Sequence, residues 1–250
     1  MSKYHVISCH VLWRELCYFA SQSKNVFNFD FLKQGLHNTP EILRQELQLA
    51  VDRVPDNEYD AILVGYGLCS RGIEGIVARK HRLVVMRGHD CITFLLGSKE
   101  RYQEYFEQHP GTYWYSPGWI DCSLMPGKER YEHCLRHYTE TYGDENAQYL
   151  MEAEQGWFQK YSNAAYTDLG CGETEHYREY TRRCADWLGW NCDVLQGDPR
   201  LMVDFLEGHW NEENFLMVEP GETIVASHDG RIIEARPQSD LALHRDSPIQ

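Results

Sequence analysis

Three cysteines follow apolar runs typical of β-strands, and this arrangement constrains the fold more than any other feature of the sequence. Cys9 follows YHVIS, Cys69 follows AILVGYGL, and Cys91 comes shortly after LVVM. In an α/β protein the carboxyl ends of parallel strands gather along one edge of the sheet, where such folds bind their ligands. We therefore expect the three thiols to lie along that edge.

Apolar runs alternate with amphipathic segments along the chain, and this alternation predicts an α/β fold. We expect mostly parallel sheets built from two or three Rossmann-like strand–helix units. The predicted strands cover residues 4–9, 25–32, 59–68, 83–86, 111–115, 164–168, 192–196 and 215–218. The predicted helices cover residues 11–20, 41–54, 91–96, 99–108, 174–188 and 201–207, with a further short helix that ends near Lys80.

The same pattern divides the chain into four parts. Residues 1–120 would form the Rossmann-like unit or units that carry the cysteines, and residues 161–236 would form a second α/β unit. Residues 121–160 are polar, charged and rich in tyrosine, which favours a peripheral helical insertion. Residues 237–250 are expected to form a flexible tail.

Composition and charge exclude several classes of function. The net charge of −14 argues against a nucleic-acid partner, because such proteins neutralise phosphates with basic patches. No run approaches the roughly 20 apolar residues needed to span a bilayer. The chain begins a strand almost at once, so we expect no secretory signal and a cytoplasmic location. Nine cysteines, an odd number, then favour reduced thiols with a metal or catalytic role over a disulfide framework.

The three strand-end cysteines form a candidate metal site. Soft thiolates bind zinc and iron–sulfur clusters, and three protein ligands leave one position open for a substrate. The hypothesis is that Cys9, Cys69 and Cys91 hold a 4Fe–4S cluster or a zinc ion. Two alternatives remain open: a reactive thiol without metal, and buried cysteines that act as small hydrophobic residues.

Cys171 is a candidate fourth ligand. It lies in the glycine-flanked segment Gly170-Cys171-Gly172, after another predicted strand. His89 and Cys91 form a His-x-Cys element, and Cys171 could be a distant third ligand. This arrangement is typical of zinc enzymes that activate a thiol for methyl transfer, since zinc keeps a thiol ionised at neutral pH. His89 as a residue that only caps a helix is the alternative.

Two histidines and two arginines flank the proposed site. His37 or His89 could move a proton near neutral pH, because the histidine side chain titrates in that range. Arg71 or Arg87 could hold a carboxylate or phosphate of the substrate. The alternatives are a loop-stabilising role for His37 and surface ion pairs for the two arginines.

A glycine-rich loop follows the strongest predicted strand. Gly65 and Gly67 are spaced as in a dinucleotide-binding fingerprint, but Gly72 is two positions late and a cysteine intervenes. We therefore interpret Gly65, Gly67 and Gly72 as cofactor-binding residues that let the backbone approach a ligand closely.

The segments QGLHNTP, YDAILVGYGLC, HDCITFLLGS, HPGTYWYSPGW and FLMVEPG resemble those of a bacterial and archaeal family, domain-of-unknown-function family 1638. The resemblance spans nearly the whole chain, and Cys9, His37, Cys69, His89 and Cys91 fall in its pattern. Genes of that family often lie near corrinoid-dependent methyltransferases, so the resemblance implies a role in one-carbon or methylated-compound metabolism. A looser architectural similarity is to quinolinate synthase, in which three repeated α/β units each give one cysteine to an iron–sulfur cluster.

These observations together predict a cytosolic metalloprotein. We favour an enzyme, a metal-dependent transferase or lyase, in which the cluster or zinc serves as Lewis acid or thiol activator for a small anionic or methylated substrate. The alternative is a protein that binds or delivers a corrinoid or a metal to a corrinoid-dependent methyltransferase, with aromatic side chains stacked on the cofactor. Neither reading involves nucleic acid or a membrane.

Overall fold

A computed structural model describes the backbone of residues 1–243 and the side chains of residues 1–240. The chain forms two compact units: Met1–Lys99 together with the segment that begins at Asp198, and Glu100–Gly197. The second unit is thus inserted into the sequence of the first. Both units carry helices and parallel strands, which confirms the predicted α/β fold with mostly parallel sheets.

The elements are numbered in chain order. The strands are β1 (Lys3–Cys9), β2 (Val26–Leu32), β3 (Ala61–Gly65), β4 (Leu83–Met86), β5 (Thr112–Tyr115), β6 (Asn163–Asp168), β7 (Asn191–Gln196), β8 (Phe215–Val218), β9 (Glu222–Ala226) and β10 (Ile233–Pro237). The α-helices are α1 (Trp13–Ala20), α2 (Pro40–Arg53), α3 (Cys91–Leu96), α4 (Lys99–Gln108), α5 (Pro117–Cys122), α6 (Lys128–Tyr142), α7 (Asp144–Phe158), α8 (Glu175–Leu188), α9 (Arg200–Glu207) and α10 (Gln238–Leu243).

The first unit is built on a five-stranded sheet with the order β2-β1-β3-β4-β8. The first four of these strands are parallel, and β8 runs antiparallel to β4. Strand β3, with the sequence AILVG, is buried along its whole length, as expected for a central strand covered on both faces. Strand β2 alternates between exposed and half-buried residues, as expected for an edge strand.

The chain order of these strands creates a topological switch point. The chain passes from β1 to its neighbour β2, and then crosses back to β3 on the other side of β1. In open α/β sheets a crevice forms outside the carboxyl ends of the two strands at such a point, and ligands bind there. In this sheet those strands are β1 and β3.

A β-hairpin formed by β9 and β10 completes the first unit. It is joined to the segment before β4 by a bridge between Val77 and Thr223 and by a hydrogen bond from the Gly75 N–H to the Ile224 carbonyl, 2.8 Å. The predicted short helix ending near Lys80 is therefore wrong. That stretch consists of turns closed by local hydrogen bonds, such as the one from the Glu74 N–H to the Arg71 carbonyl at 3.2 Å, while the N–H groups of Gly75 and Ala78 bond to the hairpin.

The second unit contains the parallel sheet β5-β6-β7. Its core gathers around Tyr115 and Tyr166, which are fully buried, and around Tyr177 and Ala185 on α8. Helices α6 and α7 lie between β5 and β6 in the sequence, within the segment 121–160 that was predicted to be a helical insertion.

The units do not share their boundaries with the predicted divisions. Residues 1–120 extend past the first unit, because β5 pairs with β6 inside the second. Residues 161–236 span both units, because β8 returns to pair with β4. Within the predicted flexible tail, residues 238–243 form α10, and residues 244–250 lie outside the described part of the chain.

None of the helices in the described part of the chain combines the length and apolar character needed to cross a bilayer.

Candidate functional site

Cys9 and Cys69 lie at the two strand ends that define the switch point. Cys9 is the last residue of β1 and is 8% exposed. Cys69 follows β3 by four residues and is half-buried. The crevice that this topology creates is therefore bordered by two thiols.

The loops after β3 and β4 are joined by their backbones. The N–H groups of Leu68 and Cys69 donate to the carbonyls of Gly88 and His89, both at 2.8 Å. At Gly67 a Cβ atom would lie 2.8 Å from the Gly88 oxygen. Only glycine allows the two loops this close, and the pairing brings Cys69 beside the segment that leads into α3.

Cys91 is the first residue of α3 and is 9% exposed. The preceding Asp90 caps this helix, since its Oδ1 accepts hydrogen bonds from the N–H groups of Ile92 at 3.0 Å and Thr93 at 3.3 Å. The cap determines where the helix begins, and so positions both the Asp90 carboxylate and the Cys91 thiol.

The backbone at Cys69 is strained. Cys69, Ser70 and Arg71 have φ angles of 46°, 56° and 66°, three consecutive residues other than glycine in the left-handed region. Each such residue costs about 1–2 kcal/mol. Strain of this kind persists only where surrounding contacts impose it, and it concentrates at functional sites.

The contacts that hold this strained turn involve both of its ends. The Gly72 N–H donates to the Cys69 carbonyl at 3.0 Å. The Arg71 guanidinium donates two hydrogen bonds to the Glu74 carboxylate, at 2.6 and 2.9 Å. Glu74 in turn accepts from the Ala226 N–H on β9, so the turn is attached to the hairpin.

Tyr66, the residue after β3, has a hydroxyl near all three thiols. Its side chain is 3% exposed. Burial is the largest cause that raises the pKa of the Tyr66 hydroxyl, and the neighbouring Cys9, Cys69 and Cys91 raise it further. All three predicted thiols therefore lie close enough to the Tyr66 hydroxyl to disfavour its ionisation.

Asp90 is shared by the thiol loop and by His37. Burial raises the pKa of the Cys69 thiol, and Asp90 and Cys9 raise it further, while a backbone hydrogen bond from Gly67 opposes them. Burial lowers the pKa of His37, and the Asp90 carboxylate opposes this shift. The short turn after β2 that contains His37 is thus brought close to the residue before Cys91.

The acids in this neighbourhood disfavour one another's ionisation. The side chains that raise the pKa values of Tyr66 and Cys69 are thiols and a carboxylate, each of which becomes or already is an anion. A cation placed among them would reverse these shifts, because it stabilises thiolates. The donor set therefore has the chemistry of a soft-metal site.

The fit to a single metal ion is poorer. Across residues 1–243 no group of three His, Cys, Asp or Glu side chains could hold one metal ion as the side chains stand. A cluster of several iron atoms places less stringent demands, because each cysteine bonds a different iron and the sulfurs need not converge on one point.

The other predicted site residues lie in varied settings. The His89 side chain is exposed, and its carbonyl accepts the Cys69 N–H. Arg71 is exposed and paired with Glu74, so its guanidinium is accessible. Cys171 belongs to the second unit, where it lies three residues beyond β6 and is 4% exposed.

Arg87 is buried, in contrast to a residue that binds substrate at an open site. Its guanidinium donates to four backbone carbonyls, those of Glu212, Phe215, Arg231 and Ile233. These contacts connect the end of β4 to β8 and the hairpin. They favour a structural role for Arg87, and Arg71 remains the candidate for binding an anion.

Gly65 and Gly72 allow close packing inside the protein. A Cβ at Gly65 would lie 2.3 Å from Ser8 Oγ on β1, and one at Gly72 would lie 2.5 Å from the Leu43 side chain on α2. At Gly65, Gly67 and Gly72 an added Cβ would contact other protein atoms, whereas a ligand was expected at these positions. Their role as cofactor-binding residues stays a prediction.

Two residues of the site were missed by the sequence analysis. Tyr66 stands inside the glycine-rich loop, between Gly65 and Gly67, and an aromatic residue there carries no spacing that distinguishes it from a core ring. Asp90 had a usable signal, because an acidic residue before the apolar run CITFLL is typical of a helix N-cap.

Comparison with known proteins adds the family. No curated protein and no solved structure matches the chain, and the similarity to quinolinate synthase is not shown. A family model described as "Protein of unknown function (DUF1638)" matches residues 31–206. This segment contains Cys69, Cys91 and Cys171, whereas Cys9 precedes it. Since the match covers well over half of the sequence, the chain belongs to the DUF1638 family.

Proposed function

We propose that the protein binds an iron–sulfur cluster through Cys9, Cys69 and Cys91 and presents its remaining coordination position to a small anionic or methylated substrate. The observation that supports this proposal is that Cys9 and Cys69 border the crevice at the topological switch point, with the N-terminal residue of α3, Cys91, near enough to act on the same buried Tyr66 hydroxyl. Three ligands leave one iron of a 4Fe–4S cluster without a protein ligand.

When bound, such a cluster supplies a Lewis acid that polarises an oxygen atom of the substrate. Tyr66 stays protonated at neutral pH because its pKa is raised, so its buried hydroxyl is available as a hydrogen-bond donor to a thiolate ligand. His37, half-buried and near Asp90, accepts a proton from the substrate or returns it.

Substrate positioning falls to the exposed side chains beside the strained turn. Arg71 binds a carboxylate or phosphate of the substrate when its guanidinium leaves Glu74. Breaking this ion pair requires little free energy, because Arg71 is exposed to solvent. His89, exposed beside Cys91, is the second candidate for proton transfer. The proposed reaction class is that of a metal-dependent transferase or lyase.

The biological setting of the proposal comes from the family resemblance. It points to one-carbon or methylated-compound metabolism in the cytoplasm, where cysteines remain reduced and available for a cluster. A corrinoid protein or its methyltransferase is then the expected partner. The same setting allows the other hypothesis, a protein that delivers a corrinoid or a metal.

Anaerobic purification followed by iron, sulfide and zinc analysis tests the proposal. We expect brown protein with about four iron atoms per chain, and loss of that iron in Cys91→Ala. The matched control is Cys17→Ala, a half-buried cysteine on α1, which should keep the full iron content. Circular dichroism verifies that both variants are folded.

Other results would contradict the cluster. Colourless protein with stoichiometric zinc would favour thiol activation, and pink protein would favour corrinoid delivery. Full iron content in Cys91→Ala would exclude the proposed ligands. Cys171→Ala tests whether Cys171 fills the fourth coordination position of the cluster. Full iron content in this variant would leave that position to the substrate, whereas loss of iron would indicate that Cys171 is a ligand.

A further inference from the structure

A cavity of about 180 Å³ lies at the amino end of β3 in the first unit. Its apolar wall consists of Val51 and Val54 from the end of α2 and Ile62 from β3. Asp52 and the consecutive basic residues 79–81 complete the lining. Because the cysteines follow the carboxyl ends of their strands, this cavity lies at the opposite end of β3 from Cys69.

One side chain of the lining is buried without a partner. The His81 imidazole is 8% exposed, and within residues 1–243 its buried Nε2 has no hydrogen-bond partner. A buried polar atom in this state lowers stability, because it has lost its hydrogen bonds to water and gained none in the protein. A ligand that brings an oxygen atom to Nε2 removes this penalty, so the cavity favours a ligand with a hydrogen-bonding group.

The two basic side chains at the rim of the cavity can leave their present carboxylate partners and turn toward a ligand. Arg79 Nε is 3.4 Å from Asp52 Oδ1, and Lys80 Nζ is 2.6 Å from the Asp56 carboxylate. Both cations are half or more exposed, and ion pairs this exposed contribute little to stability. Asp52 also accepts a hydrogen bond from Gln48 Nε2 at 2.7 Å, so it keeps a partner when Arg79 turns toward a ligand.

The geometry points to a binding site for a small carboxylic acid with a short apolar tail. The carboxylate bonds His81 Nε2 and Arg79, and the tail packs against Val51, Val54 and Ile62. The cavity is smaller than the roughly 300–1,000 Å³ of sites for drug-sized molecules, which restricts the ligand to a few carbon atoms. This site is independent of the cysteine site and of the function proposed for it.

Titration with isobutyrate, followed through the side-chain nitrogen resonances of the histidines, tests this inference. We expect the His81 imidazole resonances to shift and to saturate at millimolar isobutyrate, as befits a ligand of so few atoms. Isobutyramide, which has the same shape without the charge, should bind at least about tenfold more weakly than isobutyrate, because it lacks the charge that Arg79 recognises. Inorganic phosphate, which has the charge without the tail, should bind at least about tenfold more weakly than isobutyrate.

Two arginine variants locate the site. Arg79→Gln should weaken isobutyrate binding about tenfold, because it removes the charged partner of the carboxylate. Arg82→Gln is the matched control: this exposed arginine is three residues along the chain, pairs with Glu219 and does not line the cavity, so its loss should leave the affinity unchanged.

Three outcomes would overturn the inference. The first is His81 resonances that do not respond to isobutyrate, and the second is an equal response to isobutyramide. The third is unchanged affinity in Arg79→Gln. Tighter binding of phosphate than of isobutyrate would likewise refute a carboxylate with an apolar tail as the ligand.

Discussion

In the second unit, the buried carboxylate at the end of the central strand is paired with an arginine. In the first unit, by contrast, the strand ends bring several thiols and a carboxylate together. Asp168, the last residue of β6, is 3% exposed and lies 3.2 Å from Arg178 on α8. Its other oxygen accepts the Gly170 N–H at 2.8 Å. In contrast, the side chains that raise the pKa values of Tyr66 and Cys69 are thiols and the Asp90 carboxylate.

This difference separates a structural use of a strand end from a functional one. A buried carboxylate paired with arginine and with a backbone N–H needs no further partner. Thiols gathered around a tyrosine hydroxyl gain free energy when a cation binds among them, since metal binding deprotonates a thiol. The proposed metal site depends on this contrast between the two units, and the following predictions test the contrast from the largest effect to the smallest.

Removing the charge of Asp168 should have the largest effect on stability. Asp168→Asn leaves the Arg178 guanidinium without its buried anion, and we expect a loss of about 3 kcal/mol in the free energy of unfolding, at the lower end of values for buried pairs. Urea unfolding measures the change. Glu132→Gln, which breaks an exposed pair with Lys128, is the control and should change stability by less than about 0.5 kcal/mol. Equal losses in the two variants would show that the Asp168–Arg178 pair contributes no more to stability than an exposed ion pair.

The two glycine-containing loops should respond differently to alanine. In Gly67→Ala the new Cβ would lie 2.8 Å from backbone atoms of Gly88 and Asp90, and we expect a loss of about 2–3 kcal/mol. In Gly172→Ala the Cβ enters open space and only the φ of +87° is unfavourable, so about 1 kcal/mol is lost. Thermal unfolding compares the two. A larger loss at Gly172 would refute the tight joining of the β3 and β4 loops.

Relief of backbone strain should give the smallest effect and the opposite sign. Ser70→Gly removes the penalty of a φ of 56°, and part of this gain is offset by the greater freedom of glycine in the unfolded chain. We expect a net stabilisation of about 0.5 kcal/mol. Asn57→Gly, at another left-handed position, should gain less, because asparagine tolerates this conformation better. Destabilisation by Ser70→Gly would mean that the turn is not strained.

Much of the fold could be predicted because the central strands of a parallel sheet read as apolar runs. Strands β1, β3 and β4 were predicted from YHVIS, AILVGYGL and LVVM. The division into units could not be predicted, because the antiparallel pairing of β8 with β4 joins residues about 130 positions apart. Strand β8 itself was recognised, but nothing in a short apolar run identifies its partner.

The candidate site was predictable in its cysteines and less so in their surroundings. The positions of Cys9, Cys69 and Cys91 follow from the rule that parallel strands end at one edge. The roles of the glycines do not follow, because a glycine that admits a ligand and one that admits another backbone look alike in a sequence. Tyr66 and the strained turn at Ser70 appear only once the β3 and β4 loops are joined.

Iron K-edge X-ray absorption on anaerobically prepared protein tests the central claim most directly, because it reports the atoms bonded to iron. For protein loaded with iron and sulfide, we predict sulfur neighbours and iron–iron scattering, both lost in a Cys69→Ala variant that remains folded. Iron surrounded only by oxygen and nitrogen, or a spectrum that the Cys69→Ala substitution leaves unchanged, would contradict a cluster held by the strand-end cysteines.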